Sequence, residues 1–367
     1  MIISSPGARL ARVGGRHFLF SPERQLLFEA EPAIARIWPD LERGMSAERI
    51  VRIASSAGAD GAQILSDLVD SALVEAIAPK SGPVEIEASF RLCFNNIDIG
   101  LHATGPRAAT SIRETWGYLE APWDRCDEHL VVLEGADHAG LGHPGEEPDW
   151  VDWTGIGPAI KISLTDIVLD ALDELVLHVA TLAAGDEALL LCGAPGDGKS
   201  TLSVALDAAK TFRLEGDDLA SLSADGRVRA IPFPATIKSG AWPILGGDRP
   251  DLPEHETFRR PDDQVVRYLP LRCAAPPPRP VACVLCLDRS PGARPRLEAM
   301  PADAAIGALL QGGWSQDRRL SPEAFAAVAA CVDKAHFFRM SYAKLDDAVA
   351  LAQEAWRIAA GKRAWTA

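Results

Sequence analysis

The chain has 367 residues, enough for two or three domains of ordinary size. Apolar residues make up 47% and charged residues 24%, which excludes a mainly disordered chain, and 37 Lys and Arg against 51 Asp and Glu leave a net charge of −14, which disfavours non-specific binding to a nucleic-acid backbone. No apolar run reaches the length of a membrane helix, Arg9, Arg12 and Gly14 stand where a signal peptide needs apolar residues, and seven scattered Cys do not form a disulfide scaffold, so the sequence predicts a cytoplasmic protein with reduced thiols.

Residues 1–80 read as a small unit. Strands are predicted at His17–Phe20 and Leu26–Phe28, around the turn signal Ser21-Pro22. A helix is predicted from Glu31, with Pro32 in its first turn and Ile34, Ile37, Trp38 and Leu41 on one face; Pro39 is expected to end or kink it. A second helix is predicted from Ser46, as N-cap, to Ala57, and a third from Gly61 to Val74 with Ile64, Leu65 and Leu68 on one side. Strands with three short amphipathic helices suggest a winged-helix-like module, and Ala78–Pro83 has the composition of a linker.

Residues 84–160 are predicted to be β-rich, with Phe90, Leu92, Phe94, Ile97 and Ile99 alternating with polar neighbours and a second run at Leu130–Leu133. Gly135–Gly157, rich in Gly, Pro and acids, reads as a surface loop holding Trp150 and Trp153. Residues 161–360 read as α/β. A helix is predicted over Ser163–Leu175, leading towards His178, then a buried strand at Glu187–Cys192, a Gly-rich loop, a helix from Thr201 to about Lys210, a strand-like piece within 212–222 and a buried strand at Val281–Leu287. Beyond Ala302 the pattern is mostly helical. Cys283 and Cys286 form a C-x-x-C, but three apart on a strand they point to opposite faces and read as packing residues.

The chemistry is concentrated in Gly193-Ala-Pro-Gly196-Asp197-Gly198-Lys199-Ser200, a full match to G-x-x-x-x-G-K-S/T, followed by Thr201 and flanked by a strand and a helix. Glycines in such a loop let backbone N–H groups wrap phosphate oxygens, and the helix N-terminus adds its positive end. Lys199 is expected on the β and γ phosphates and Ser200 on Mg²⁺, which makes ATP and Mg²⁺ the expected ligands. Asp217-Asp218 follows after one helix and one strand; one carboxylate can hold Mg²⁺, with Asp218 the expected ligand beside Ser200, and the other can take the proton of an attacking hydroxyl. Asp288, at the end of an apolar strand, is a rival for the magnesium role. His178, Lys238 in Pro232-Phe-Pro-Ala-Thr-Ile-Lys238, and Arg267 are further candidates, the last two as cations able to neutralise transferring phosphate charge.

The order His178, P-loop 193–200, helix, Asp217-Asp218 resembles the catalytic core of HPr kinase/phosphorylase and its relatives, and Pro232–Lys238 resembles the Pro-x-Pro-Lys segment of the HPr-kinase-related branch found in natural-product gene clusters. The resemblance covers about residues 90–354. It implies an α/β P-loop kinase core in which Lys199 and Ser200 meet phosphate and Mg²⁺, the Asp217/Asp218 pair serves as base and metal partner, His178 stands near the phosphates, and Arg267 contributes; it also implies homo-oligomers. The downstream Gly-rich signature associated with phosphorolysis is absent. Residues 1–80 resemble the PqqD-like peptide-binding fold through Ile34, Ile37 and Trp38, Gly44-Met45-Ser46, and Leu65, Leu68 and Leu73; such domains bind a leader peptide as an added strand. Together these imply a kinase for a Ser or Thr hydroxyl on a peptide or protein. A small-molecule kinase and a nucleotide-binding regulator that transfers nothing fit the same P-loop. DNA binding by the first residues, which carry Arg9, Arg12, Arg16 and Arg24, is disfavoured by the total charge.

Overall fold

The computed structural model describes residues 2–5, 7–43, 47–76, 85–122, 126, 128–144, 146–311, 313–314 and 320–361. With 36% helix, 33% strand and several mixed sheets, this is a mixed α/β protein. No helix among the described residues is long and apolar enough to cross a membrane.

The first unit contains β1 (Ile2–Ser4), β2 (Arg9–Val13), β3 (Arg16–Ser21), β4 (Leu26–Glu29), α1 (Pro32–Arg43), α2 (Ala47–Ser56), α3 (Gly61–Asp70) and β5 (Val74–Ala76). β2, β3 and β4 form an antiparallel sheet, and β1 pairs with β5. Leu19, Ile37, Trp38, Leu41, Ile50 and Leu68 share one core. Two expectations are corrected here. α1 does not end at Pro39 but runs on to Arg43, because Trp38 and Leu41 on either side of the proline are both buried and packing outweighs the lost amide. The third helix stops at Asp70, and Val74 instead opens β5, which closes the unit against β1. The predicted cap Ser46 and the linker 78–83 lie outside the described residues.

The next stretch contains β6 (Ala88–Phe94), β7 (Ile97–Ala103), α4 (Pro106–Trp116), β8 (Glu128–Glu134), β9 (His138–Gly142), β10 (Asp149–Asp152) and α5 (Ile156–Asp170). Its five-stranded sheet has the order β10-β9-β8-β7-β6. The predicted loop at Gly135–Gly157 is instead the β9–β10 hairpin and the start of α5. Its glycines serve close packing: a Cβ at Gly140 would lie 3.2 Å from Pro148 and 3.3 Å from both Leu133 and Trp150. The helix expected at Ser163–Leu175 begins at Ile156 and ends at Asp170, while Leu175 opens a strand. Gly155, Gly157 and Pro158 read as turn signals in sequence. Proline is nonetheless compatible with a first helical turn, and Gly157 lets Phe258 approach so closely that a Cβ would meet its ring at 2.8 Å. Ile156, Ile160, Leu164 and Val168, spaced by four, bury the inner face of α5 in a core shared with Phe233, Phe258 and Tyr268.

The remainder contains β11 (Leu175–Leu177), β12 (Ala180–Ala184), β13 (Glu187–Cys192), α6 (Lys199–Ala208), β14 (Arg213–Gly216), β15 (Leu219–Leu222), β16 (Arg227–Ile231), β17 (Ala235–Lys238), α7 (Trp242–Leu245), β18 (Phe258–Arg259), β19 (Val265–Leu269), β20 (Arg279–Arg289), β21 (Arg296–Ala299), α8 (Ala302–Gln311), β22 (Gly313–Trp314), α9 (Pro322–Lys334), β23 (His336–Tyr342) and α10 (Leu345–Ala360). The large sheet runs β14-β12-β13-β20-β16-β15-β11-β22, with β23 parallel to β20 and β21 beside it. β13 and β20 pair in parallel. β13 is buried on both faces, Leu189 and Leu191 packing with α6 and α10, and Leu190 and Cys192 packing with α8 and α9, which is why it reads as a continuous apolar run. Cys283 and Cys286 fall into these two opposite cores, as expected. β23 interrupts the helical C-terminal region; His336–Tyr342 pairs over its whole length with β20. β17, β19 and β18 form a separate three-stranded ribbon.

Candidate active site

The Gly-rich loop leaves the end of β13 and enters α6, so Lys199, Ser200 and Thr201 are the first residues of the helix. Two positive-φ residues make the turn, Gly196 at φ 105° and Gly198 at φ 90°, a region where a side chain is strained. The loop is held by its own contacts: the Ala194 amide donates to Asp197 Oδ2 at 2.7 Å, and the Tyr342 hydroxyl of β23 donates to the Asp197 carbonyl at 2.5 Å. Gly193 lies against Leu287 of β20, where an added Cβ would sit 3.1 Å from Leu287 Cβ. Lys199 is buried and donates to the Gly193 carbonyl at 2.6 Å, arching back over the loop. No side chain caps the N-terminus of α6, so its first amides and its positive end are offered to an anion.

Asp217 and Asp218, in the turn between β14 and β15, come to the same end of the sheet with divergent environments. Asp217 is fully buried and enclosed: it accepts from the Thr236 amide at 3.0 Å and the Ser203 hydroxyl at 3.2 Å, and the Ser200 hydroxyl also reaches it. Burial and the neighbouring Asp218 charge push its carboxyl up to about 6. Asp218 is partly open and meets the ammonium of Lys161, from α5. Burial pushes Asp218 up too, but Lys161, backed by His178 and Lys199, outweighs it and holds the group below the usual carboxylate range. Lys161 also donates to Thr236 Oγ1 at 2.6 Å and lies 5.7 Å from the Tyr268 ring centre and 6.0 Å from that of Phe233.

Lys161 is the site residue that sequence reasoning missed. One signal was available: it is the only charged residue between Asp152 and Asp166, inside an apolar helix. His178, between β11 and β12, is close enough to this cluster that partial burial and the Lys199 ammonium push its imidazole below the usual value, against the pull of Asp218. Lys238 is exposed at the end of β17, on the same side of the ribbon as Thr236. Arg267 is not brought to the cluster. It stands opposite Ile237, on the other side of the ribbon, with its guanidinium 4.1 Å from the Trp242 ring centre and donating to Thr257 Oγ1 at 3.3 Å. Asp288 is exposed at the end of β20 and accepts from Ser341 at 3.1 Å.

The two carboxylates therefore differ in what they can do. Asp217 has no open face: it orients Ser200 from behind and fixes β17 through Thr236. Asp218 is ionised and reachable. The oxygens of Ser200 and Asp218 are hard donors of the kind Mg²⁺ takes. The raised Asp217 carboxyl contributes stability that is present below its unfolded value near 4 and is lost as pH rises through about 6. Asp217→Asn should remove that slope, since an amide can accept from Thr236 and donate to Ser203. Thermal unfolding at pH 5 and pH 7.5 should show the variant gaining on the wild type by about 1.4 kcal/mol at the higher pH; an identical pH dependence in both proteins refutes this account of Asp217.

No family model and no curated protein matches this chain.

Proposed function

We propose that the protein is an ATP-dependent kinase, HPr-kinase-like in its core, that phosphorylates a Ser or Thr hydroxyl on a peptide or protein held by a PqqD-like, winged-helix-like module at residues 1–80. The observation that carries this reading is the meeting of the P-loop, Lys199 and Ser200 with an ionised, reachable Asp218 backed by Lys161.

In this reading the loop amides and the α6 N-terminus bind the ATP phosphates, and Lys199 turns from the Gly193 carbonyl to the β and γ phosphates. Ser200, with its hydroxyl oriented by Asp217, would hold Mg²⁺, which when bound neutralises phosphate charge. The acceptor hydroxyl loses its proton to Asp218 as its oxygen bonds to the γ phosphorus. The bond from that phosphorus to the β–γ bridging oxygen breaks, and ADP leaves. His178, with its lowered pKa, is neutral at pH 7 and serves as a hydrogen-bonding partner. Lys238 adds an exposed cation on the acceptor side, whereas Arg267 has no part in this scheme.

The separate core of residues 8–74 supports a distinct substrate-holding module. The test is mass spectrometry of candidate peptides after incubation with ATP and Mg²⁺, beside Lys199→Ala. The expected result is a gain of one phosphate on Ser or Thr in the wild type, with ATP affinity down about tenfold or more in the variant through loss of a charged phosphate contact. Labelling that survives Lys199→Ala excludes the P-loop as the nucleotide site; product formed with no peptide present moves the assignment to a small-molecule kinase.

A further inference from the structure

Outside the site, a cleft of about 620 Å³ lies where α2 of the first unit faces the rest of the chain. Arg49 and Arg52 of α2 form one wall; Arg107, Trp153, Arg259 and Asp263 stand on the other. Four arginines and three aspartates line it, a small positive excess on a protein whose net charge is −14.

Their pairing is uneven. Arg49 and Asp152 make a close ion pair at 2.7 Å across the two units. Arg52 and Arg259 both turn to Asp263, but at 3.6 Å and 3.9 Å, beyond hydrogen-bond length, so their guanidinium N–H groups are not used by that carboxylate. Arg107 has no carboxylate partner among the described residues; the residue is exposed and its guanidinium stands over Trp153, 4.1 Å from the ring centre. Such guanidinium forks are suited to carboxylates.

The position of the cleft is the second observation. α5 begins two residues beyond Thr154, at Ile156, and carries Lys161 five residues after its first residue, about 7.5 Å along the helix axis. Arg259 on β18 is two strands, about 10 Å, from β17, which carries Thr236 and Lys238. The cleft thus lies between the first unit and elements that also carry Lys161 and Thr236.

We propose that this cleft binds an acidic stretch of the substrate peptide, with Arg52, Arg107 and Arg259 reading its carboxylates, so that the phosphorylated hydroxyl lies close to Asp or Glu side chains. This rests on the kinase reading and names its substrate class. Asp137, Asp152 and Asp263 also line the cleft. Asp152 is taken up by Arg49, and Asp263 lies near Arg52 and Arg259 without hydrogen-bonding either, which leaves the N–H groups of Arg52, Arg107 and Arg259 for a ligand.

Fluorescence anisotropy on the full chain tests this without relying on turnover. The probe is a fluorescein-labelled peptide of alternating Glu and Ser, beside the same peptide with Gln in place of Glu. The Glu peptide should bind about tenfold or more tightly than the Gln peptide, and Arg107→Ala with Arg259→Ala should remove that preference. Arg107→Glu with Arg259→Glu should invert it towards a Lys peptide, which guards against a folding defect in the alanine variant. Equal binding of Glu and Gln peptides, or a preference that survives the double alanine variant, overturns the proposal. So does tighter, arginine-dependent binding of a single-stranded oligonucleotide. Adding ATP and Mg²⁺ separates the two readings. Arginine-dependent binding with no transfer keeps the cleft and removes the kinase, and equal transfer to both peptides keeps the kinase and removes the cleft.

Discussion

Asp218→Asn should lower kcat for phosphoryl transfer by about 10²–10⁴-fold, the usual contribution of a positioned base, while leaving ATP binding intact. The asymmetry of the pair is the reason. Asp217 and Asp218 are adjacent in sequence, yet one is enclosed by Thr236, Ser203 and Ser200 and the other opens towards Lys199 and His178. Of the two, only Asp218 has an open face. An Asn there keeps the size of the side chain and can still accept from Lys161, so folding and the phosphate loop are preserved. What disappears is the capacity to take a proton. Asp217→Asn should act differently, through Ser200 and Thr236, with a smaller loss in kcat and the change in pH-dependent stability described above. Single-turnover phosphorylation with saturating ATP separates the two. Equal, modest losses in both variants would show that neither carboxylate takes the proton, and that their role is to place Ser200 and β17.

How far the site could be read in advance depended on whether its parts are local. The P-loop is a contiguous signal. A buried apolar strand, glycines where φ must be positive, and Lys-Ser opening a helix sit within fourteen residues, and β13 was bounded correctly at Glu187 and Cys192. The Asp pair was equally visible as a motif, but not its division of labour, because the groups that enclose Asp217 come from α6 and β17, and those that ionise Asp218 come from α5 and the P-loop. Lys161 lies 57 residues before Asp218, and only the packing of α5 against Phe233 and Tyr268 brings them together. Arg267 failed for a related reason. Strand alternation places it with Ile237 rather than Thr236, and which of those faces looks at the site is a tertiary fact. The hairpin β9–β10 was hidden because glycine marks both a turn and a close approach, and only the neighbouring Trp150 and Pro148 distinguish the two.

Lys161→Met should cost about 1–3 kcal/mol of stability at pH 7.5 and lower kcat sharply, with an acid limb displaced to higher pH. Methionine keeps the length of the stem and its contacts with Tyr268 and Phe233, so the change removes little besides the ammonium. Without it, Asp218 faces Asp217 with only His178 and Lys199 in opposition, and burial, which already pushes both carboxyls up, prevails. The pair then holds a proton near neutrality, and the base is lost in proportion. The sign in stability follows. In the wild type the depressed Asp218 carboxyl contributes stability above its unfolded value near 4 and loses it only as pH falls through its lower folded value. The deficit of the variant should therefore be largest at pH 7.5 and shrink towards pH 4, where protonation relieves the unpaired charge. Lys161→Arg should restore most of the activity, because a guanidinium can still bridge Asp218 and Thr236. Thermal unfolding and kcat across pH 5–9 for the three proteins check this. An acid limb that stays in place in Lys161→Met, together with an equal stability deficit at every pH, would reduce Lys161 to a packing residue and return the low pKa of Asp218 to Lys199 and His178 alone.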